Sequence, residues 1–240
     1  MNYGRTVFGL SAVVGGVVGL LSPDVDSWQH LHFWTPLAIA MAWSLPIASI
    51  AGGVAMPFPR TARVASIVLG VTYGIVSLTC VAGAIIKPTD ALQYINLGEQ
   101  FSIVCGALAV YASTAMNALR STVLARIARL GFGLCTISFA WAQVVYLQYT
   151  ASLVPAWIPP NGTFWTILTT IAFALAAIAM LINYQARLAL RLTALMLALF
   201  GLLVWVPKIV VQPTNLSNWS EIAVNYLITA AAWLVSEVSR

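Results

Sequence analysis

Residues 64–86 read VASIVLGVTYGIVSLTCVAGAII, a run without one charged side chain. A helix needs about 20 apolar residues to cross the roughly 30 Å hydrocarbon core of a bilayer. A strand of a transmembrane barrel needs only about 10 residues, and these alternate between apolar and polar side chains. This run has the helical length and lacks the alternation. It therefore predicts a transmembrane helix.

The whole chain has the composition of this run. Of its 240 residues, 61% are hydrophobic and 7% are charged, whereas soluble domains carry roughly 25% charged residues. A soluble fold of this size could not bury so much apolar surface in one core. We therefore predict an all-α integral membrane bundle of eight transmembrane helices, surrounded by lipid. Their predicted limits are 4–21, 34–55, 64–86, 98–118, 130–150, 164–184, 188–206 and 220–237.

The basic residues predict the orientation of these spans. With the N-terminus in the cytoplasm, nine of the eleven basic residues fall on the cytoplasmic side, as the positive-inside rule predicts for short loops. We therefore expect both termini in the cytoplasm. Because the basic residues lie between apolar runs and do not form one basic face, no nucleic-acid partner is expected. The nine are Arg5, Arg60, Arg63, Arg120, Arg126, Arg129, Arg187, Arg191 and Arg240, and the outer two are Lys87 and Lys208.

Short segments recur in the same order in the two halves of the chain. They predict a duplication: a first half at 1–120 and a second at 127–240, joined near Ser121–Arg126. An even number of helices in each half makes the two repeats parallel, with any shared site between them. The matching segments are Phe33-Trp34-Thr35 with Phe164-Trp165-Thr166, Thr61-Ala62-Arg63-Val64 with Gln185-Ala186-Arg187-Leu188 (offset 124), Ile85–Asp90 with Val210–Asn215 (offset 125), and Glu99 with Glu221.

The second half, from about Tyr146 to Trp233, carries a set of family motifs. They are Leu153-Val154-Pro155-Ala156-Trp157-Ile158-Pro159, Ala186-Arg187-Leu188-Ala189, Val206-Pro207-Lys208, Asn218-Trp219 and Asn225. With these motifs the half resembles the DoxX-like family of small four-helix bacterial membrane proteins. That family includes the small subunit of a thiosulfate:quinone oxidoreductase. The resemblance implies a bacterial cytoplasmic (inner) membrane location and an attachment to redox machinery. The chain departs from the family in being doubled and in having no histidine in the matched half.

Four metal-ligand side chains lie within nine residues: Asp24, Asp26, His30 and His32. Carboxylate and imidazole groups at this spacing predict a site for zinc or copper on the outer face. The alternative is an interfacial loop, whose polar tips meet water while the neighbouring Trp28, Phe33 and Trp34 anchor it at the lipid headgroups. The sequence leaves both hypotheses open.

Glu99 and Glu221 stand near the predicted starts of the fourth and eighth helices. A carboxylate at a helix N-terminus is favoured by the helix dipole, so one hypothesis is helix capping. The other is a pair that handles protons or a polar substrate in a cavity between the halves, because ionisable groups at membrane depth are functional candidates. Asn225 lies one turn after Glu221 on the same helical face and would join that site.

A third group, Trp141, Gln143 and Tyr146, clusters toward the outer end of the predicted fifth helix. Aromatic rings with an amide donor could hold a quinone headgroup by stacking and hydrogen bonding. The alternative is a residue of the aromatic belt together with interhelical amide hydrogen bonds.

The chain contains no nucleophile elbow, Walker loop, dinucleotide fingerprint, CxxCH or HExxH motif, and its three cysteines lie in apolar runs. Neither haem nor flavin is expected, and enzymatic activity of its own is not favoured. The first functional hypothesis is an accessory or quinone-associated membrane subunit that docks a redox partner. The second is a transporter of a small or lipid-like molecule between the halves, and the third is a membrane scaffold. The oligomeric state is left open.

Overall fold

The computed structural model describes residues 3–22 and 36–239, and these residues form helices with short connections and no strand. Eight of the helices are long, and the last but one contains a π-helical turn at Gly201–Trp205. The helices are α1 (Tyr3–Leu21), α2 (Pro36–Ala55), α3 (Ala62–Ile86), α4 (Ala91–Ser113), α5 (Ala118–Val145), α6 (Leu147–Leu153), α7 (Gly162–Ile182), α8 (Ala186–Val211) and α9 (Leu216–Val238).

Seven of these helices are long and apolar enough to cross a bilayer: α1, α3, α4, α5, α7, α8 and α9. In α2 the apolar part with described side chains is shorter, at Ile39–Ala55. Large apolar side chains such as Leu175 and Leu195 point away from the bundle, which is favourable only where lipid surrounds the helix. The prediction of an all-α, multi-pass membrane protein is confirmed.

Several helices begin earlier than their hydropathy predicts. α4 begins at Ala91 rather than near 98, because the carboxylate of Asp90 accepts a hydrogen bond from the Leu92 backbone N–H at 3.1 Å. Asn117 caps α5 in the same way: its side-chain oxygen accepts a hydrogen bond from the Arg120 backbone N–H at 3.1 Å. Such caps set a helix start whatever the hydropathy of the turns that follow. One consequence is that residues 121–126, the predicted junction of the halves, lie inside α5.

α4 and α9 form the centre of the bundle. α4 packs between α3 and α5 and also against α9, while α9 packs against α1, α8 and α4. Around them α2 packs on α1 and α3, and α7 packs on α5 and α8. The core contains fully buried side chains from several helices, including Phe8, Ile103, Phe132 and Leu227.

α4 and α9 are in close contact at Gly106 and Ala231. A methyl group placed on Gly106 would lie 2.5 Å from the Cβ of Ala231, which is too close for two carbon atoms. Small residues are what allow helix backbones to approach this closely in a membrane. The two central helices are thus held together about two-thirds of the way along each.

Candidate functional site

Glu99 and Glu221 do not cap their helices. The cap positions are occupied by Asp90 for α4 and by Asn215 for α9, whose side chain accepts from the Ser217 backbone N–H at 3.0 Å. At about 1.5 Å per residue, Glu99 lies roughly 12 Å along α4 and Glu221 roughly 8 Å along α9. The dipole effect fades within the first turn, so the capping hypothesis fails for Glu99 and is weak for Glu221.

Glu99 and Glu221 lie in the two central helices, which pack against each other. The charge of Glu221 acts on the Glu99 carboxylate, and the charge of Lys208 in α8 acts on Glu221. Because this interaction joins the early turns of α4 and α9, and because Gly106 touches Ala231 further along, the two helices run in the same direction. Electrostatic interactions therefore link Glu99 to Glu221 and Glu221 to Lys208. Glu99 and Lys208 are half-buried, whereas Glu221 is exposed at the surface of the bundle.

The early turns of α4 and α9 also contain buried polar atoms that have no hydrogen-bond partner among the described residues. They are Nδ2 of Asn96, Oε1 of Gln100 and Oδ1 of Asn225. Gln100 is only 7% exposed. A buried polar atom without a partner costs about 1–3 kcal/mol, so two packed helices that carry three of them, two on α4 and one on α9, are not optimised for stability alone. We call Asn96, Glu99, Gln100, Glu221 and Asn225 the polar cluster.

Asn225 also touches the π-helical turn of α8. A methyl group on Gly201, the first residue of that turn, would lie 2.8 Å from Oδ1 of Asn225 and 2.6 Å from the ring of Tyr226. A larger residue at this position would therefore have to displace the side chains of Asn225 and Tyr226. Trp205 is the last residue of the π-helical turn, and the Nζ atom of Lys208 lies 4.5 Å from the centre of its ring. Single π turns inside α-helices are frequent at functional sites, and this one borders the polar cluster.

The predicted group of Trp141, Gln143 and Tyr146 does not come together. Oε1 of Gln143 accepts hydrogen bonds from the hydroxyls of Thr169 at 3.0 Å and Thr170 at 2.9 Å, both in α7. Trp141 faces a different helix, and Tyr146 ends α5 at the surface. Each residue turns an α-helix by about 100°, so positions 141 and 143 point in nearly opposite directions. Gln143 therefore forms interhelical hydrogen bonds, as the alternative hypothesis predicted.

Trp141 instead lines an apolar groove of about 870 Å³ formed by α3, α4 and α5. Its ring meets that of Tyr94 edge to face, with the ring centres 6.0 Å apart. Leu78 and Phe101 continue the wall, and Gly98 contributes to it beside the Ser138 hydroxyl. The groove is on the face of α4 opposite to Asn96 and Gln100, so it is separate from the polar cluster.

The predicted metal ligands Asp24, Asp26, His30 and His32 lie outside the described residues. Within 3–22 and 36–239, no group of three or more His, Cys, Asp or Glu side chains could hold a metal ion. The cysteines in these ranges, Cys80, Cys105 and Cys135, are buried and form no disulfide.

No family model, curated protein or solved structure matches this chain. The DoxX-like resemblance therefore stays a prediction from the motifs alone. A functional conclusion has to come from the chemistry of the site, because a fold alone does not specify a function.

Sequence reasoning found Glu99, Glu221 and Asn225 but missed Asn96 and Gln100. The signal was present, since two amides one turn apart in an apolar helix share a face, just as Glu221 and Asn225 do. Their importance comes from burial without partners, which no sequence pattern reports.

Proposed function

We propose that this protein binds a small molecule inside the membrane, at the polar cluster between two related four-helix halves, and acts as its carrier. The observation that carries the proposal is the set of buried, unpartnered polar atoms on Asn96, Gln100 and Asn225. Polar and ionisable groups at membrane depth are costly and are kept for function. In many carriers built from repeats, the substrate site lies between the repeats.

Equivalent contacts in α4 and α9 support the duplication. The hydroxyl of Tyr94 donates to the Pro88 carbonyl at 3.2 Å, and Nε1 of Trp219 donates to the Pro213 carbonyl at 2.9 Å. Both members of the second pair follow those of the first by 125 residues. In each half, a side chain in the first turn of the central helix thus donates a hydrogen bond to the carbonyl of a proline in the loop before that helix.

The first two helices of each half repeat a contact as well. A methyl group on Gly9 of α1 would lie 3.2 Å from Cβ of Met56, just after α2. A methyl group on Gly133 of α5 would lie 3.1 Å from Cβ of Met180, in the last turn of α7. Gly133 follows Gly9 by 124 residues, and Met180 follows Met56 by the same number. Both methionines are fully buried.

The π turn accounts for the change of offset from 124 to 125. Ala62 and Ala186 begin α3 and α8 with an offset of 124, whereas Ile86 and Val211 end them with an offset of 125. α8 is therefore one residue longer, 26 against 25. A π turn closes its hydrogen bonds over one more residue than an α turn, so it absorbs the extra residue without rotating the rest of the helix.

With an offset of 125, four of the five residues of the polar cluster correspond in pairs, whereas Glu99 corresponds to Val224 and not, as predicted from the sequence, to Glu221. Asn96 corresponds to Glu221, and Gln100 corresponds to Asn225, so each central helix contributes two polar residues one turn apart. Gly106 and Ala231 correspond too, and they touch each other. Equivalent residues in contact are expected at a pseudo-two-fold axis. Gln100 and Asn225 then lie about 9 Å from the Gly106–Ala231 contact, measured along the helices.

The duplication extends the proposal to topology. As the counterpart of α7, α2 is an eighth membrane span, and both termini lie in the cytoplasm. The polar cluster is then in the outer half of the membrane. The bacterial inner-membrane location rests on the DoxX-like resemblance.

The second candidate is a quinone-associated accessory subunit. It is favoured by the apolar groove beside Trp141 and Tyr94, which suits an isoprenoid tail, and by the DoxX-like resemblance. Such a subunit would retain a quinone and dock a redox partner without carrying a substrate.

The test of the first proposal identifies the small molecules that co-purify with the protein in nanodiscs, by native mass spectrometry. We expect Gln100→Leu and Asn225→Leu to lose a molecule that the wild type retains, at an unchanged or higher unfolding temperature, because each change removes an unpartnered buried atom. The matched control is Gln143→Leu, whose amide is used by α7: it should keep the molecule and unfold at a lower temperature.

A wild type without any bound molecule, or variants that retain it fully, would contradict the proposal. Counterflow into proteoliposomes then separates the two candidates. A carrier exchanges the labelled molecule for unlabelled molecule inside, whereas an accessory subunit does not.

A further inference from the structure

Two arginine side chains meet at one tyrosine, at the end of the bundle where α4 finishes. The hydroxyl oxygen of Tyr111 accepts a hydrogen bond from Nη2 of Arg120 at 3.2 Å and another from Nη2 of Arg63 at 3.4 Å. The guanidinium carbons of Arg120 and Arg63 lie 5.7 Å and 5.2 Å from the centre of the Tyr111 ring. Arg63 belongs to the first turn of α3 and Arg120 to the first turn of α5. We call these three residues the arginine site.

The two positive charges of the arginine site have no negative partner within residues 3–22 and 36–239. There, neither guanidinium forms a salt bridge, and the side-chain hydrogen bonds of both go to Tyr111. Asp90 and Glu99 lie toward the other end of α4, about 31 Å and about 18 Å from Tyr111 along the helix. Like charges repel, and a cation in the first turn of a helix is also disfavoured by the helix dipole. The site therefore favours an anion.

The donors of the arginine site match a phosphate group. A guanidinium has five N–H donors and no acceptor, and each of these two uses one donor on the Tyr111 oxygen. Because that oxygen accepts from both arginines, its own O–H remains available as a donor. A phosphate presents several acceptor oxygens and a negative charge, and it pairs with guanidinium groups through strong, charge-assisted hydrogen bonds. Arg63 and Arg120 are exposed, so a ligand can reach them from outside the bundle.

The place of the arginine site in the fold indicates a lipid as the source of the phosphate. Tyr111 lies in the last turn of α4, which ends at Ser113, and the ends of membrane-spanning helices lie near the lipid headgroups. Val64 and Leu119, the sequence neighbours of the two arginines, are large apolar side chains that are 63% and 74% exposed. Basic pockets between helices at this level bind anionic headgroups. Acyl chains beside Val64 and Leu119 would accompany such a headgroup, whereas a free phosphate brings none.

The second half has a different arrangement at the same end of the bundle. Arg191 of α8 lies over the ring of Trp233 in α9, with 5.6 Å between its guanidinium carbon and the ring centre. Nε1 of Trp233 donates a hydrogen bond to the carboxylate of Glu237 at 3.0 Å. A single guanidinium thus shares an indole with a carboxylate. At an offset of 125, Ser236 stands at the position of Tyr111, so the anion site is expected in the first half only.

We propose that the arginine site binds the phosphate group of an anionic phospholipid, with the guanidinium groups of Arg63 and Arg120 and the hydroxyl of Tyr111 as its donors. With the proposed topology, this lipid belongs to the inner leaflet. The polar cluster lies in the early turns of α4 and α9, far from Tyr111, so the two sites are independent.

The experiment uses the full chain in detergent and three probes: phosphatidylglycerol, phosphatidylcholine with the same acyl chains, and glycerol 3-phosphate. Native mass spectrometry measures the amount of each probe bound as its concentration increases. We expect one molecule of phosphatidylglycerol to bind most tightly. Arg63→Gln and Arg120→Gln should each weaken that binding about tenfold, as expected for losing a charge-assisted hydrogen bond. Tyr111→Phe, which keeps the ring and removes the hydroxyl, should weaken it several-fold.

The matched control is Arg187→Gln. Arg187 is an exposed arginine in the first turn of α8, at the position that corresponds to Arg63 with an offset of 124. Its removal lowers the net charge by the same amount and should leave the tight binding of phosphatidylglycerol unchanged. Thermal unfolding gives a second measurement: added phosphatidylglycerol should raise the unfolding temperature of the wild type and of Arg187→Gln more than that of Arg63→Gln.

Three results would overturn the proposal. An equal loss of binding in Arg187→Gln and Arg63→Gln would mean that the lipid follows the overall positive charge. Binding of phosphatidylcholine as tight as that of phosphatidylglycerol would mean that negative charge is not recognised. Equally tight binding of glycerol 3-phosphate would assign the site to a soluble phosphate. None of these results affects the polar cluster, whose test is the molecule lost from Gln100→Leu and Asn225→Leu.

Discussion

The two central helices, α4 and α9, have the same length and corresponding caps, yet they differ on two faces. In the polar cluster, α4 contributes Asn96, Glu99 and Gln100, whereas α9 contributes Glu221 and Asn225 and has Val224 at the position of Glu99. On the opposite face of α4, Phe101 lines an apolar groove. Its counterpart Tyr226 donates a hydrogen bond to the Ala198 carbonyl, at 3.4 Å. The comparison shows that two helices of equal length and similar capping can have different surroundings. α4 borders an apolar groove, whereas α9 packs beside the π-helical turn of α8.

The largest effect should come from deleting one residue in α3 or in α8. Deletion of Val76 from α3 would rotate every later residue of that helix by about 100° and turn Cys80 out of the core, so we expect no folded protein. Deletion of Leu203 from the π turn should leave α8 as a regular helix of the same length as α3, with nearly normal stability. Size-exclusion chromatography and thermal unfolding in detergent measure both. Equal damage from the two deletions would contradict the insertion in α8.

A smaller effect is expected where the two helices meet. Gly106→Leu forces a side chain against Ala231, and overpacking of this kind costs about 1–3 kcal/mol or more. The matched control is Gly74→Ala, because a methyl group on Gly74 has nothing within 4 Å. The control should be neutral or slightly stabilising. Thermal unfolding of the two variants decides the matter, and an unaffected Gly106→Leu variant would show that α4 and α9 are not in close contact.

The smallest effect should come from exchanging the caps. Asp90→Asn combined with Asn215→Asp should change the free energy of unfolding by less than about 0.5 kcal/mol, because the two residues cap almost equally well. Asn215→Ala, which removes the cap, should cost about 1 kcal/mol. Both values come from equilibrium unfolding in detergent. A large loss in the exchanged variant would mean that the carboxylate of Asp90 has a role beyond capping.

Hydropathy was sufficient to predict the class of the protein, because lipid requires long apolar helices and few charges. It was less successful at helix starts. Gln93, Asn96 and Glu99 dilute the apolar signal at the beginning of α4, so the predicted span began near 98, although Asp90 caps the helix. A cap is a local hydrogen bond, and a window averaged over twenty residues does not detect it.

The candidate site was predicted in part. Glu99 and Glu221 were singled out as ionisable residues near the starts of two apolar helices, and these two helices pack against each other. The association of Trp141 with Gln143 was wrong, because proximity in sequence was taken for proximity in space. Which of them faces α7 and which faces the groove depends on how α5 is rotated in the bundle. That rotation is set by packing with helices distant in sequence.

The contact between Gly106 and Ala231 has one more consequence. If two separate copies of an ancestral four-helix protein once met at this point, every residue beside the axis had to be identical in both copies, and any carboxylate there came as a pair. Joining the copies into a single polypeptide lifts that constraint. One side can then keep an amide while the other acquires an acid, and an odd number of charges at the centre becomes available to selection.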